Sequence, residues 1–142
     1  MNLLLDTHIW IWNDLEPWKI TSDINRELSS PDNHLWLSPV SIWEVTVLLE
    51  KRRIDLKQDF RSWADESVTD LQLHEATITW EVAHELRYTK LGHRDPADRF
   101  LVATAKVYDL TLVTADERLI NVPGLKVLPN RQTAGLEMYS PQ

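Results

Sequence analysis

The sequence predicts an α/β sandwich of three layers: a short parallel sheet at the centre, covered by helices on both faces. Three observations predict it. Short apolar runs with strand character recur at residues 2–6, 34–37, 111–114 and 125–128. They alternate with longer stretches whose apolar residues repeat at helical spacing. The runs are apolar throughout, as in parallel strands buried on both faces.

Taken in order, residues 2–6 read as a buried strand with a polar stop at Asp6. A short helix is expected over Thr7–Asn13 and a more polar one around Ile20–Leu28. Pro31-Asp32-Asn33 marks a turn before the next strand, His34–Leu37. Ser38 then caps a helix with Pro39 at its first position, running to about Lys51. Asp59–Thr69 and Thr77–Tyr88 read as amphipathic helices, with Leu71–Leu73 a possible short strand between them. Asp95-Pro96 opens a helix to about Tyr108 that is apolar nearly all round and so belongs in the interior. Thr111–Thr114 is a β-branched strand, Asp116–Leu119 a helical turn, Pro123-Gly124 a turn, and Leu125–Leu128 the last strand. Residues 1–129 are thus expected to form one domain, and residues 130–142 a loosely held tail.

A chain of 142 residues and 16.6 kDa suits one core. It contains no cysteine, which excludes disulfides and thiolate metal sites. No run reaches the roughly 18 apolar residues of a membrane span, and the apolar start lacks the basic stretch of a signal peptide. A soluble cytoplasmic protein without membrane partners is expected. The net charge of −7 excludes a general nucleic-acid coat but not a nuclease, whose carboxylates add to that total. Lys51, Arg52 and Arg53 form the sharpest basic cluster and are the candidate RNA-phosphate contacts. Solvated helix surface explains them equally well.

Four acids stand where chemistry is expected. Asp6 and Asp116 follow strands, while Glu44 and Asp98 lie in the first turns of helices that begin at the same sheet edge. Ligands of an open parallel sheet bind outside the carboxyl ends of its strands, so all four can converge there. Each has a structural alternative. Asp6 reads also as a helix cap, and Asp98 as an acid stabilised by the helix dipole. Thr114 and Glu117 match a capping box around Asp116. Asp95 is the better cap of its own helix. Glu44 would share a stripe with Val40, Val47 and Leu48, where a carboxylate needs a partner.

Four carboxylates drawn together repel one another and call for a cation. Oxygen donors alone point to magnesium or manganese. The histidines (His8, His34, His74, His84 and His93) show no paired metal-binding spacing, so zinc is disfavoured. His8, two residues beyond Asp6, is a candidate to line the site, with a surface or packing role the favoured alternative. Glycine occurs only at 92, 124 and 135, which excludes a phosphate-binding loop. A dehalogenase-like hydrolase would need an acid at position 8, and a receiver domain an early acid pair and a late lysine.

With those residues in place, the chain resembles the PIN-domain family, and most of all its VapC-type toxins. The matching segments are Leu4-Leu5-Asp6-Thr7-His8, Ser38 to Glu44, Asp95 to Ala105, and Leu112 to Asp116. The resemblance implies a metal-dependent endoribonuclease leaving 5′-phosphate and 3′-hydroxyl ends, acting on transfer or ribosomal RNA. It implies Asp6, Glu44, Asp98 and Asp116 as the catalytic, metal-holding acids, Thr114 as the hydroxyl beside them, and Asp95 as accessory. It also implies a homodimer and a small antitoxin protein that obstructs the site. Trp10, Ile11, Trp12, Trp43, Val47 and Leu48 would suit a groove for a partner helix, with core packing the alternative for about half of them. Competing readings are an RNA-processing or flap nuclease of the same fold, and a binding module that has lost catalysis.

Overall fold

The computed structural model describes residues 1–131. Within them, five strands form one sheet: β1 (Asn2–Leu5), β2 (His34–Leu37), β3 (His74–Glu75), β4 (Thr111–Thr114) and β5 (Val127–Pro129). All pairs are parallel, in the order β3-β2-β1-β4-β5. The chain therefore starts at the centre, winds outward through β2 to β3, and returns past β1 to build β4 and β5. That reversal places a crevice between the carboxyl ends of β1 and β4.

Strand side chains alternate between two cores, as a pleated sheet requires. Leu3, Leu5, Leu35, Leu37 and Val113 face one layer, which holds α1 (Thr7–Leu15), α2 (Ser22–Ser29), α3 (Pro39–Glu50) and α4 (Phe60–Asp70). Leu4 and Leu112 face the other, where α6 (Pro96–Tyr108) contributes Leu101, Val102 and Ala105. α5 (Trp80–Glu85) packs against α6, and α7 (Glu117–Ile120) sends Leu119 into the same core. The expected three-layer α/β/α arrangement is the one observed.

Capping explains where the longer helices begin. Ser38 accepts from Val40 N–H at 3.1 Å ahead of Pro39, and Asp95 accepts from Ala97 N–H at 3.0 Å ahead of Pro96. α6 ends at Asp109, whose φ of 57° is left-handed. A short polar side chain tolerates that conformation better than most.

Four expectations change. The strand expected at Leu71–Leu73 lies later, at His74–Glu75, because Leu71 and Leu73 instead pack their side chains into the first core. The helix expected over Thr77–Tyr88 is only α5, since Thr79 caps it through Val82 N–H and delays its start. A 3₁₀ turn at Pro17–Lys19, unforeseen, links α1 to α2. Asn130 is buried rather than loose: its backbone N–H donates to Thr114 O at 2.7 Å, and its side chain bridges Thr21 N and Lys19 O. The rest of the expected tail, beyond Arg131, lies outside the described residues.

Candidate active site

Asp6 follows β1 directly, and its N–H donates to Val113 O on the adjacent β4 at 2.9 Å. It occupies the cap position of α1, yet its carboxylate caps nothing. Instead Oδ2 accepts from the Thr114 hydroxyl at 2.5 Å. Thr114 ends β4, is fully buried, and also accepts from Asp116 N–H at 3.0 Å. Pairing of β1 with β4 thus joins two residues 108 positions apart through one hydroxyl. The cap reading of Asp6 does not hold.

Glu44 lies in the second turn of α3 and is half-buried. Its Oε1 accepts from the Thr7 hydroxyl, which also lies 2.8 Å from Ser41 Oγ. Asp98 sits in the first turn of α6, buried, with Oδ2 at 2.7 Å from His93 Nε2 and 3.6 Å from Arg118 Nη2. Asp116 is itself the cap of α7, accepting from Arg118 N–H at 2.9 Å. The Arg118 guanidinium then closes on both its carboxylate oxygens, at 2.8 Å in the shortest contact. The expected Thr114–Glu117 capping box is not formed, because the Thr114 hydroxyl is committed to Asp6 and to Asp116 N–H.

Asp6, Glu44, Asp98 and Asp116 line one cleft of about 280 Å³, together with Asp95, His8, Trp12, Ala115 and Arg118. The charges feel one another. Burial pushes the Asp6 carboxyl up to about 6, opposed by the Thr114 hydroxyl and increased by the charge of Asp98. Burial likewise raises Glu44 to about 7, with Thr7 opposing and Asp6, Asp95 and Asp98 adding. Asp98 is raised by burial against the pull of His93. Asp116 alone is held below the usual range, by its bonds to Arg118.

Three buried carboxyls raised above their ordinary range, each further opposed by neighbouring acids, would gain from a cation beside them. The donor set, oxygen throughout, fits a hard divalent cation. The side-chain arrangement meets it only in part: among the described residues no three such groups stand close enough to share one ion. Asp98 engages His93 and Asp116 engages Arg118, so both carboxylates, already at the cleft wall, would have to turn to share an ion with Asp6.

Of the residues singled out from sequence, Asp6, Glu44, Asp95, Asp98 and Asp116 all reach the cleft, and Thr114 supports it from beneath. His8 lines it too, exposed and tilted against the Trp12 ring, with centroids 5.8 Å apart. Lys51, Arg52 and Arg53 do not: they are exposed beyond the far end of α3, roughly 10 Å along the helix from Glu44. Trp10 and Ile11 are core residues, which removes them from any groove, whereas Trp43 is 52% exposed. Sequence reasoning missed Thr7, Ser41, His93 and Arg118. Arg118 carried one usable signal, its position two residues after an acid that ends a strand-to-helix turn.

The fold and cleft define an α/β-sandwich protein with an acidic site at the switch point of a parallel sheet. Residues 3–125 match the PIN domain, and the chain belongs to the PIN domain family. It is similar to Ribonuclease VapC22 of Mycobacterium tuberculosis, with 30% identity over 122 residues, covering 82% of this chain and 88% of that protein. Among solved structures it resembles VapBC2 from Rickettsia felis bound to a promoter DNA fragment, with a TM-score of 0.71 at 18% identity, covering 91% of this chain and 98% of that one. It also resembles a toxin–antitoxin complex from Klebsiella pneumoniae, with a TM-score of 0.62 at 21% identity, covering 92% and 99%. At these identities the two structures speak to the fold.

Proposed function

We propose that this chain is a divalent-metal-dependent endoribonuclease and the toxin of a toxin–antitoxin pair, using magnesium or manganese. The observation that carries the reading is the gathering of Asp6, Glu44, Asp98 and Asp116 in one cleft at the sheet's switch point. Support comes from membership in the PIN domain family, from the ribonuclease named among its relatives, and from the toxin–antitoxin complexes among its structural likenesses. Its partners would be an RNA substrate, an antitoxin protein and a second copy of the chain. Among the described residues no helix is long and apolar enough to cross a membrane.

Asp6, Glu44, Asp98 and Asp116 are the residues that would hold the cation. Bound there, it would supply a water acidic enough to ionise to an attacking hydroxide at neutral pH, and charge to stabilise the phosphate. The chain's part is positioning. Thr114 fixes the rotamer of Asp6 and favours its ionised form, while Thr7 does the same for Glu44. His93 and Asp95 orient Asp98 from the side and from the backbone. Arg118, at the mouth of the cleft, offers a cation to the substrate phosphate once Asp116 is engaged elsewhere. Lys51, Arg52 and Arg53 remain distal phosphate contacts in this reading, and their joint alanine replacement should flatten the salt dependence of RNA binding.

The test is cleavage of single-stranded RNA by the purified chain. Chelation with EDTA should abolish it, manganese should restore it, and Asp98→Asn should stay inactive with metal. Cleavage that survives both chelation and Asp98→Asn, contaminating nucleases excluded, rules the assignment out.

A further inference from the structure

Beside the acidic cleft, and sharing Trp12 and Ala115 with it, lies a second hollow of about 430 Å³. Its other walls include Trp18, Lys19, Asn130 and Arg131. Among the described residues no carboxylate lines it, in contrast to the site next door. Trp18 is 73% exposed, an unusual place for so large an apolar surface. Lys19 Nζ stands 5.3 Å from the centre of the Trp12 ring, within cation–π range.

The hollow is built, not incidental. Trp18 and Lys19 sit on the 3₁₀ turn begun by Pro17, closed by Lys19 N–H to Glu16 O at 3.0 Å and Ile20 N–H to Pro17 O at 3.1 Å. Asn130, buried, ties that turn to the sheet. Its Oδ1 accepts from Thr21 N at 2.8 Å, its Nδ2 donates to Lys19 O at 3.0 Å, and its N–H reaches Thr114 O at 2.7 Å. One amide thus sets the turn relative to the residue that supports Asp6. Lys19 and Arg131 have exposed ion-pair partners, Glu16 at 3.2 Å and Glu117 at 3.0 Å. Such pairs contribute little and are readily given up to a phosphate.

Resting on the nuclease reading above, we propose that Trp12, Trp18, Lys19 and Arg131 form a nucleotide subsite for the RNA strand next to the scissile phosphate. A base of the flanking nucleotide stacks on Trp18, and Lys19 and Arg131 take the adjoining phosphates. Aromatic faces bind bases with little regard to sequence, and a cationic groove tracks the backbone. The subsite supplies what the acidic cleft lacks, attraction for a polyanion. Trp18 is shared in turn with a further hollow where Arg53 and Lys57 are outnumbered by Asp14, Glu16 and Asp55, so the cations of the subsite itself end at Trp18.

The test is fluorescence anisotropy of the full chain with a labelled, random-sequence, single-stranded 12-nucleotide RNA in EDTA, where cleavage does not interfere. Trp18→Ala should weaken binding by about 5- to 150-fold, and Trp18→Phe should restore most of it. On a 12-nucleotide abasic backbone, Trp18→Ala should bind like the parent. Lys19→Ala and Arg131→Ala should each lower the slope of log affinity against log salt by about 0.7. Unchanged RNA affinity in Trp18→Ala overturns the subsite, including the case where the shelf receives a protein segment instead. An equal loss on the abasic strand overturns it too. Neither result touches the nuclease assignment, which is tested separately by chelation and Asp98→Asn.

Discussion

Replacing Asp6 with Asn should stabilise the metal-free protein at alkaline pH while destroying its activity. Asp6 is 7% exposed, and its carboxyl is raised to about 6 in the folded chain. An unfolded aspartate ionises near about 3.9, so the native state binds this proton more tightly than the unfolded chain does. The sign follows from that difference. Ionised Asp6 costs the fold nothing well below pH 4, a growing amount from pH 4 to 6, and the full amount above about pH 7. The full amount is about 3 kcal/mol. Asn escapes it but accepts the Thr114 hydroxyl less strongly than a carboxylate does, a loss of about 1 kcal/mol. A net gain of about 2 kcal/mol at pH 8 raises Tm by about 5–10 °C for a domain of this size. Calorimetric scans of both proteins in EDTA, at pH 8 and pH 4.5, read the effect. The gain should shrink below about 1 kcal/mol at pH 4.5. An Asp6→Asn protein less stable than the parent at pH 8, or a gain independent of pH, refutes the reasoning.

Other outcomes follow from the same contacts. Thr114→Val removes the hydroxyl that favours ionised Asp6, so the carboxyl should rise by a further one to two pH units by the usual worth of such a bond. Manganese affinity measured by isothermal titration should fall about 2- to 10-fold at pH 7 and recover at pH 9, and a loss equal at both pH values contradicts this. Arg118→Ala frees Asp116 from its guanidinium, so manganese should bind about 5-fold tighter, whereas weaker binding means that Arg118 orders the acid instead. Trp10→Ala empties a fully buried site stacked on Trp63 and should cost about 3–5 kcal/mol in denaturant unfolding. A cost below about 1 kcal/mol would deny Trp10 its place in the core.

Much of this molecule is legible in its residues, for identifiable reasons. β2, β4 and α6 fall at their expected bounds because Pro39 and Pro96 fix helix starts and the apolar runs are bounded by polar stops. Such local chemistry leaves few alternatives. β3 was misplaced because it has only two residues, and its pairing with β2, not its composition, makes it a strand. Trp10 and Ile11 resembled a groove because helical spacing reveals an apolar face without saying what covers it. α4 covers this one, through Trp63.

The acids were legible as a set, because carboxylates at successive strand ends and helix starts share one sheet edge. Their partners were not. Thr7, Ser41 and His93 acquire meaning only through contacts across 34, 37 and five positions that no spacing rule encodes. The basic cluster at Lys51–Arg53 stands out as three adjacent charges, whereas the cations of the hollow beside the site, Lys19 and Arg131, are isolated in sequence. Folding brings those two to one hollow through the buried amide of Asn130.

In the proposed nuclease, distant carboxylates jointly hold one divalent cation in the cleft between β1 and β4. Anomalous diffraction from crystals grown with manganese tests it most directly. A peak is expected in that cleft at about 2.0–2.3 Å from oxygens of Asp6 and Asp98, with Asp98 swung away from His93. A cleft without manganese at saturating concentration, its carboxylates still engaged by His93 and Arg118, would contradict it.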